Sequence, residues 1–239
     1  MKSILALILI SFASHCFAQN ITSKELLEKA ITYHDPNSNW ETIRAKFTVE
    51  MTTPNSSKRT SHIRIDLNRE FFSVKAIKDT VTSVYSVIKG KCGMVYNGKD
   101  LDSISAKAKN MSCDRATLYK NYYTYLYGLP MKLKDPGTNL ANKVEKKTFK
   151  GKDYLVLKVT YDEAVGSDVW YFYFNPKTYA METYQFFKTD ANGKEKQDSG
   201  EYVLLSKEAL VNDIKMPKVR AWYYNKDDKY LGTDTLVED

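Results

Sequence analysis

The stretch LYKNYYTYLYGLPMKL, residues 118–133, decides how we expect this chain to fold, and five of the nine residues at positions 119–127 are tyrosine. Its flanks favour a helix over a strand. Ser112 suits an N-cap, Asp114 adds a negative charge to the first turn, and Gly128 followed by Pro130 is a common helix stop. The pattern therefore predicts a helix over residues 112–127.

The predicted helix has an unusually wide apolar and aromatic surface. Its tyrosines and leucines cover an arc of about 200°, roughly twice the stripe that a helix lying on one sheet needs. Two rows make up this arc: Leu118, Tyr122, Tyr125 and Leu129 on one side, and Tyr119, Tyr123 and Tyr127 on the other. We assign the first row to packing. The second row has two interpretations, because aromatic stripes at helical spacing are usually core but tyrosines also line ligand pockets. Either way the helix needs cover on two sides, as in the hollow of a curved sheet.

Most of the remaining chain alternates apolar and polar residues with a period of two. In IRAKFTVEM (43–51), for example, Phe47 and Val49 lie on one face and Lys46 and Thr48 on the other. The predicted strands span residues 43–51, 62–67, 71–78, 80–88, 92–96, 143–149, 154–161, 168–174, 179–188, 201–206, 215–224 and 230–237. Nearly all are joined by connections too short for a parallel crossover. We therefore predict an α+β fold: one curved antiparallel sheet of about 11–12 strands, an open half-barrel, with helices packed on its concave face.

A first helix is expected just before these strands. Thr22 followed three residues later by Glu25 is a capping-box pattern, and Pro36 disfavours helix at Asp35. We find no internal repeat and no linker rich in Pro, Gly or Ser. Residues 19–239 are therefore predicted to form a single domain.

The first 18 residues have the order of a cleavable signal peptide. Lys2 precedes an apolar run over residues 4–12, and a small residue follows at Ala18. We expect cleavage after Ala18 and a protein located in the periplasm or secreted. Cys16 raises a lipoprotein alternative, against which the bulky His15 argues.

The amino-acid composition limits the classes of partner that we expect the protein to bind. No other window is long and apolar enough to span a membrane, which leaves only peripheral membrane contact open. Lys and Arg number 36 against 29 Asp and Glu, but the basic residues are scattered among acids and aromatics. We therefore expect no nucleic-acid partner, and we expect a monomer.

Two cysteines remain once Cys16 is removed, namely Cys92 and Cys113. In an oxidising compartment such a pair indicates a disulfide. The alternative is two buried thiols that never meet.

Catalytic and metal-binding signatures are missing from the sequence. His34 and His62 have no partner at metal-ligand spacing, and both are interpreted as surface histidines. No nucleophile elbow, P-loop, dinucleotide fingerprint or zinc-protease motif occurs, and Cys92 with His34 is a weak imitation of a nucleophile and its base. We expect no enzyme activity, no metal and no cofactor.

Aromatic residues in the late strands extend the pattern of the tyrosine helix. The strand VWYFYF (169–174) is aromatic on both faces, and RAWYYN (220–225) places two aromatic rings on one face. A chain this aromatic has a very large core or lines an apolar hollow. The candidate lining of such a hollow is Tyr119, Tyr123, Tyr127, Trp170, Phe172, Trp222 and Tyr224.

Four long stretches carry a family resemblance: YHDPNSNWETIRAKFTVEM (33–51), SCDRATLYKNYYTYLYGLPMKLKDPGT (112–138), TYDEAVGSDVWYFYFNPKTYAMETYQFF (160–187) and NDIKMPKVRAWYYNKDDKYLGTDTL (212–236). Together they resemble a family of exported bacterial proteins known as a domain of unknown function. More remotely, Asn175-Pro176 and the pair Ile214 and Pro217 are similar to strand-end motifs of the lipoprotein-carrier (LolA-like) superfamily, although Asp213 stands where that motif has glycine. The resemblance implies an open half-barrel closed by helices around an apolar cavity.

Two functional hypotheses follow. The first is a periplasmic or cell-envelope carrier that binds a hydrophobic ligand, such as an acyl chain, a lipid or a lipoprotein. The second is an envelope sensor or protein-interaction domain with a packed interior. An enzyme of unknown type is a distant third.

Overall fold

The computed structural model describes residues 21–237. The predicted signal peptide, its cleavage site and Cys16 lie outside the described residues. Three α-helices are present in the described part of the chain: α1 (Ser23–His34), α2 (Ser103–Ala108) and α3 (Cys113–Tyr127). Two short 3-10 helices span Asn39–Thr42 and Met131–Lys134.

Fourteen strands in residues 21–237 form one open antiparallel sheet. They are β1 (Arg44–Thr53), β2 (Ser56–Asp66), β3 (Phe71–Lys78), β4 (Val81–Ile88), β5 (Lys91–Tyr96), β6 (Lys99–Asp100), β7 (Thr138–Leu140), β8 (Glu145–Phe149), β9 (Lys152–Tyr161), β10 (Val169–Phe174), β11 (Met181–Phe187), β12 (Glu201–Val211), β13 (Ile214–Tyr224) and β14 (Tyr230–Val237). Their order in the sheet is β6-β5-β4-β3-β2-β1-β14-β13-β12-β11-β10-β9-β7, and β8 also pairs with β9.

This order explains why α3 crosses the sheet. The chain runs as a meander from β1 out to β6 at one edge, and it re-enters at β7, on the opposite edge. Residues between β6 and β7 carry α2 and α3 from one edge to the other. A second meander then returns from β9 to β14, which pairs with β1 at the centre. The predicted fold class is therefore confirmed: one open antiparallel sheet with few helices.

Two of the strands were not predicted from the sequence because they are very short. The twelve predicted strands are all present, and β6 and β7, of two and three residues, account for the difference. Helix α2 lies between the predicted strand at residues 92–96 and the predicted helix at residues 112–127, in a segment that the sequence pattern assigned to a polar loop, and that assignment was wrong. Its six residues are too few for a periodic apolar stripe, although Asp102 caps it by accepting a hydrogen bond from the Ser105 N–H.

Helix α1 forms as its cap predicts. The Thr22 hydroxyl accepts a hydrogen bond from the Glu25 N–H, and the Glu25 carboxylate accepts one from the Thr22 N–H, which completes the capping box. The prediction that His34 lies on the surface was wrong. His34 is in the last turn of α1 and is 2% exposed, because that turn packs against β11 and β13.

Both faces of the sheet are buried around β10, as its sequence predicts. Phe172 and Phe174 belong to the main core beneath the helices, whereas Tyr171 and Tyr173 belong to a smaller cluster on the opposite face. The side with the main core is therefore the one that positions α3.

Candidate functional site

Helix α3 is anchored at its start. The Ser112 hydroxyl accepts a hydrogen bond from the Arg115 N–H, as expected of an N-cap. Next to this cap, Cys113 forms a disulfide with Cys92 of β5, and their Cα atoms are 5.5 Å apart. The N-terminal end of α3 is therefore tied covalently to one side of the sheet.

The Tyr119, Tyr123 and Tyr127 row faces the first half of the sheet. Their ring centres lie 5.1 Å from Tyr85 of β4, 6.1 Å from Phe72 of β3 and 5.0 Å from Phe47 of β1, respectively. Tyr123 and Tyr127 are each 1% exposed. In the structure described here this row fills the interior rather than lining an open cavity.

The other row faces the second half of the sheet. The Tyr122 ring lies 6.4 Å from Trp222 of β13, and the Tyr125 ring lies 5.6 Å from Trp170 of β10. The hydroxyls of Tyr125 and Tyr161 are hydrogen-bonded to each other. Helix α3 is thus covered on two sides, as its wide arc predicts.

Leu118 is an exception in this row, whose four residues the sequence pattern assigned to packing. It is 65% exposed, whereas Leu129 is 2% exposed. Leu118 precedes the part of α3 in which this row meets the second half of the sheet, since the contacts with Trp222 and Trp170 begin at Tyr122 and Tyr125. The assignment of Leu118 to the core was therefore wrong.

The predicted lining residues in the late strands divide into two groups. Trp170 and Phe172 stack with ring centres 5.9 Å apart, and Phe172 is fully buried. Trp222 packs against the ring of Tyr184 on β11. Tyr224, by contrast, lies at the end of β13 beyond a register shift and is 42% exposed, so the structure does not bring it into the interior.

Arg220 of β13 is the residue that sequence reasoning missed. It is 1% exposed, and its guanidinium carbon lies 3.8 Å from the centre of the Tyr127 ring. Its Nη1 donates a hydrogen bond of 2.8 Å to the Pro217 carbonyl, but its Nε has no acceptor among the described residues. The alternation of residues along β13 could have indicated that Arg220 is buried, because Arg220 lies on the same inward face as Trp222.

Asp234 of β14 lies directly opposite Arg220 in the ladder and is 5% exposed. The Tyr122 hydroxyl donates a hydrogen bond of 3.4 Å to Asp234 Oδ2. Burial raises the pKa of Asp234, and the positive charges of Arg220 and of Arg59 on β2 counteract that rise. The side chain of Arg59 is half-buried, and its Nε likewise has no acceptor among residues 21–237.

Two tyrosine hydroxyls complete this cluster. The hydroxyls of Tyr127 and Tyr184 are buried, and within the described part of the protein neither makes a hydrogen bond of good geometry, although the Tyr184 hydroxyl lies near the Arg220 side chain. Burial raises the pKa of both phenols well above the usual value, and the charge of Arg220 opposes the rise. We call Arg59, Arg220, Asp234, Tyr122, Tyr127 and Tyr184 the interior polar cluster. It holds two guanidinium groups, one carboxyl group and several polar atoms without partners.

Two surface concavities lie away from this cluster. One of about 370 Å³ is lined by residues of α1, β11 and β12, among them His34 and Glu208. The other, of about 390 Å³, is on the outer face of β1 to β4. No residue of α3 lines either of them.

No helix within residues 21–237 is long and apolar enough to cross a membrane. No three His, Cys, Asp or Glu side chains there are grouped so that they could hold a metal ion.

The sequence matches the family of unknown function DUF6503 over residues 2–239. The chain belongs to the DUF6503 family. This DUF6503 chain is also similar to a LolA-superfamily protein from Nitrosomonas europaea, with a TM-score of 0.52 at 10% identity over 91% of this chain and 92% of that one. At that identity the likeness shows the fold alone, and it confirms the predicted LolA-like architecture.

Two other solved structures match the DUF6503 chain more loosely. A DUF1329 family protein from Desulfovibrio piger matches with a TM-score of 0.47 at 6% identity, over 90% of this chain and 91% of that one. The MucA/MucB complex of Pseudomonas aeruginosa matches with a TM-score of 0.29 at 8% identity, over 90% of this chain and 92% of that one. No curated protein matches the sequence.

Proposed function

We propose that this protein is an exported, monomeric binding protein for an amphipathic anion, such as an acyl chain ending in a carboxylate or phosphate. The ligand is held between α3 and the sheet. The observation that carries the proposal is the state of Arg220, which is 1% exposed and whose Nε has no acceptor in the part of the chain that the structure describes. Binding in the periplasm or outside the cell, without catalysis, is part of the same proposal.

The charges of the interior polar cluster favour an anion. Arg59 and Arg220 carry two positive charges, and Asp234 supplies at most one negative charge. No ion pair within 4.0 Å joins either guanidinium to an acid in residues 21–237. A buried charge without a partner is costly. One ligand carboxylate or phosphate would supply the missing charge and accept hydrogen bonds from Arg220 Nε and the tyrosine hydroxyls.

The surroundings of the cluster favour an acyl chain for the rest of the ligand. The rings of Phe47, Phe72, Tyr123 and Trp222 border the cluster on both halves of the sheet. Transfer of an acyl chain into such a site contributes about 0.8 kcal/mol per CH₂ group. Aromatic side chains fill the space in the closed form described here, so the ligand must displace part of α3. The disulfide at Cys113 makes the N-terminal end of α3 the fixed end of that movement.

The test compares ligand content and affinity in matched arginine variants. The full-length protein is expressed with its signal, purified and analysed by native mass spectrometry, and then titrated with a fluorescent fatty acid. We expect co-purified lipid or saturable binding, at least roughly tenfold weaker binding by Arg220→Met, and unchanged binding by Arg69→Met, whose side chain is exposed. Arg59→Met serves as a second interior variant if Arg220→Met does not fold.

The substitution Asp234→Asn is expected to change the affinity for the fatty acid in the opposite direction. Removing the single carboxylate leaves the two guanidinium groups without compensation, so the fatty acid should bind more tightly. Absence of lipid and of fatty-acid binding in the wild type would overturn the proposal. So would equal affinity in the Arg220→Met and Arg69→Met variants.

One observation favours the second candidate, an envelope interaction domain with a packed interior. Tyr123 and Tyr127 are each 1% exposed, and their rings already occupy the space under α3. In that case the purified protein carries no lipid and binds one partner protein in stoichiometric amount. Both outcomes are read from the same native mass spectra.

A further inference from the structure

A concavity of about 390 Å³ lies on the outer face of β1 to β4. Its rim carries four basic side chains, Lys46, His62, Arg64 and Lys75, all of them exposed. The neighbouring residues Phe47, Ile63 and Val74 on the same strands point to the opposite face, into the core. The concavity is therefore separated from the interior polar cluster by the thickness of the sheet.

The arrangement of these bases is unfavourable by itself. Lys46 lies directly opposite Arg64 in the β1–β2 ladder. Two cations that face each other across antiparallel strands destabilise a sheet. His62 lies directly opposite Lys75 in the β2–β3 ladder. Fold stability alone gives no reason to gather them here.

Two acids on the same face of β1 and β2, Asp66 and Glu50, are paired with other bases. Asp66 lies 3.7 Å from the Arg44 side chain and 3.8 Å from that of Arg69. Glu50, at the other end of the row, lies 2.7 Å from Lys58. In the described range 21–237 neither Lys46, Arg64 nor Lys75 has an ion-pair partner within 4.0 Å.

Polar groups between the bases complete the concavity. Ser73 lies directly opposite Arg64 on β3 and contributes a hydroxyl to the lining. The His62 ring is oriented by a contact of 2.9 Å between its Nδ1 and the Thr48 hydroxyl. Nε2 of His62 is therefore the ring atom left to face a ligand.

We propose that this concavity binds the phosphate group of a compact phosphorylated small molecule. Arg64 presents a planar fork that matches two phosphate oxygens, and Lys46 and Lys75 add point charges from the neighbouring strands. The concavity of about 390 Å³ has room for a compact phosphorylated molecule, with its phosphate group between the bases of three neighbouring strands. A lipid headgroup in a vesicle carries the same phosphate chemistry, and the experiment below separates the two sources.

The experiment titrates the full-length protein with inorganic pyrophosphate and with inorganic phosphate by isothermal calorimetry. We expect saturable binding that weakens as sodium chloride is added. The variants Arg64→Gln and, independently, Lys46→Gln should each bind pyrophosphate about tenfold more weakly. The matched control is Lys91→Gln, an exposed lysine on β5 outside the concavity.

The proposal is overturned if the wild type binds neither anion, or if Arg64→Gln and Lys91→Gln bind pyrophosphate equally. A vesicle flotation assay tests whether the bound phosphate group belongs to a lipid headgroup instead of a small molecule. Binding to vesicles of phosphatidylglycerol but not to free pyrophosphate would also overturn it. None of these outcomes depends on fatty-acid binding in the interior, and urea unfolding of each variant verifies that it is folded.

Discussion

The guanidinium of Arg220 lies 3.8 Å from the centre of the Tyr127 ring, which joins β13 to the last residue of α3. A cation above an aromatic face is attracted by the electrons of the ring, and the attraction grows when both are shielded from water. The ring of Tyr127 therefore has a partner, while its hydroxyl has no hydrogen-bond partner in residues 21–237.

Substitution of Tyr127 by phenylalanine tests that distinction. Tyr127→Phe keeps the ring and removes a buried hydroxyl without a partner, so we expect the free energy of unfolding of the ligand-free protein to rise by about 1 kcal/mol. The matched control is Tyr125→Phe, which breaks the hydrogen bond to Tyr161 and should lower the free energy of unfolding by about 1 kcal/mol. Urea unfolding measures both. If Tyr127→Phe is the more destabilising of the two, the Tyr127 hydroxyl has a partner in solution.

Reduction of the disulfide should loosen the fold measurably. Cys92 and Cys113 are 21 residues apart, and closing a loop of that size stabilises a protein by roughly 3 kcal/mol. We expect dithiothreitol to lower the free energy of unfolding by about that amount. The double variant Cys92→Ala/Cys113→Ala should show the same loss without reductant and no response to it. If dithiothreitol leaves the free energy of unfolding of the wild type unchanged, the covalent link between Cys92 and Cys113 is contradicted.

The pH dependence of stability should depend on His34. Its Nδ1 lies 2.7 Å from the Lys215 carbonyl and must donate to it, while its Nε2 accepts a 3.0 Å hydrogen bond from the Met181 N–H. The ring is therefore neutral. Burial lowers the pKa of His34 below 6.5, helped by the nearby charges of Lys215 and Arg220 and opposed by the hydrogen bond to the Lys215 carbonyl and by Glu208.

The sign follows from that lowered pKa. The stability contributed by neutral His34 is fully present above its unfolded pKa of about 6.5, and it is lost as the pH falls from there toward the folded pKa. His34→Gln removes this titration, so its unfolding midpoint in urea should fall less between about pH 7 and pH 5 than that of the wild type. Parallel pH profiles for the two proteins would show that His34 does not titrate on unfolding.

The close contact between Gly128 and Trp40 should make the end of α3 intolerant of a side chain. A Cβ at position 128 would lie 2.2 Å from Trp40 Cζ2 and 2.6 Å from the Thr124 carbonyl oxygen. We expect Gly128→Ala to lower the free energy of unfolding by about 2 kcal/mol or more. Gly90→Ala is the control, because a Cβ there meets nothing within 4 Å and only the positive φ of 75° opposes it, at about 1 kcal/mol. An equal loss at both positions would argue against the packing of Trp40 on α3.

Local sequence patterns predicted the elements of this fold well where they are long. The capping box of α1, the N-cap of α3 and the alternation of the main strands depend only on near neighbours in the chain. The short elements β6, β7 and α2 escaped because two to six residues contain too little periodicity. Asp213 shows a further dependence on context: with φ of 61° it adopts the left-handed backbone that favours glycine, which explains the glycine of the related motif at that position.

The candidate site was less accessible to sequence reasoning. The wide aromatic arc correctly indicated a helix covered on two sides, but it could not tell a filled interior from an open one. That difference depends on how the Tyr123 and Tyr127 rings pack against Phe72 and Phe47. These two phenylalanines are on β3 and β1, strands that are far from α3 in the sequence. Arg220 was overlooked because an arginine is usually exposed, and its burial becomes evident only when Asp234 and Arg59 are brought beside it by the sheet.

The two ends of the sheet affect how copies of the protein meet one another. At one end β6 pairs with only two residues of the six-residue strand β5, and at the other the outer strand β8 is five residues long and carries Lys146 and Lys147. Lysines on an edge strand hinder the addition of a strand from a second copy, because like charges repel. The β8 end is protected in this way, whereas at the other end most of the outer side of β5 is left without a partner strand within residues 21–237.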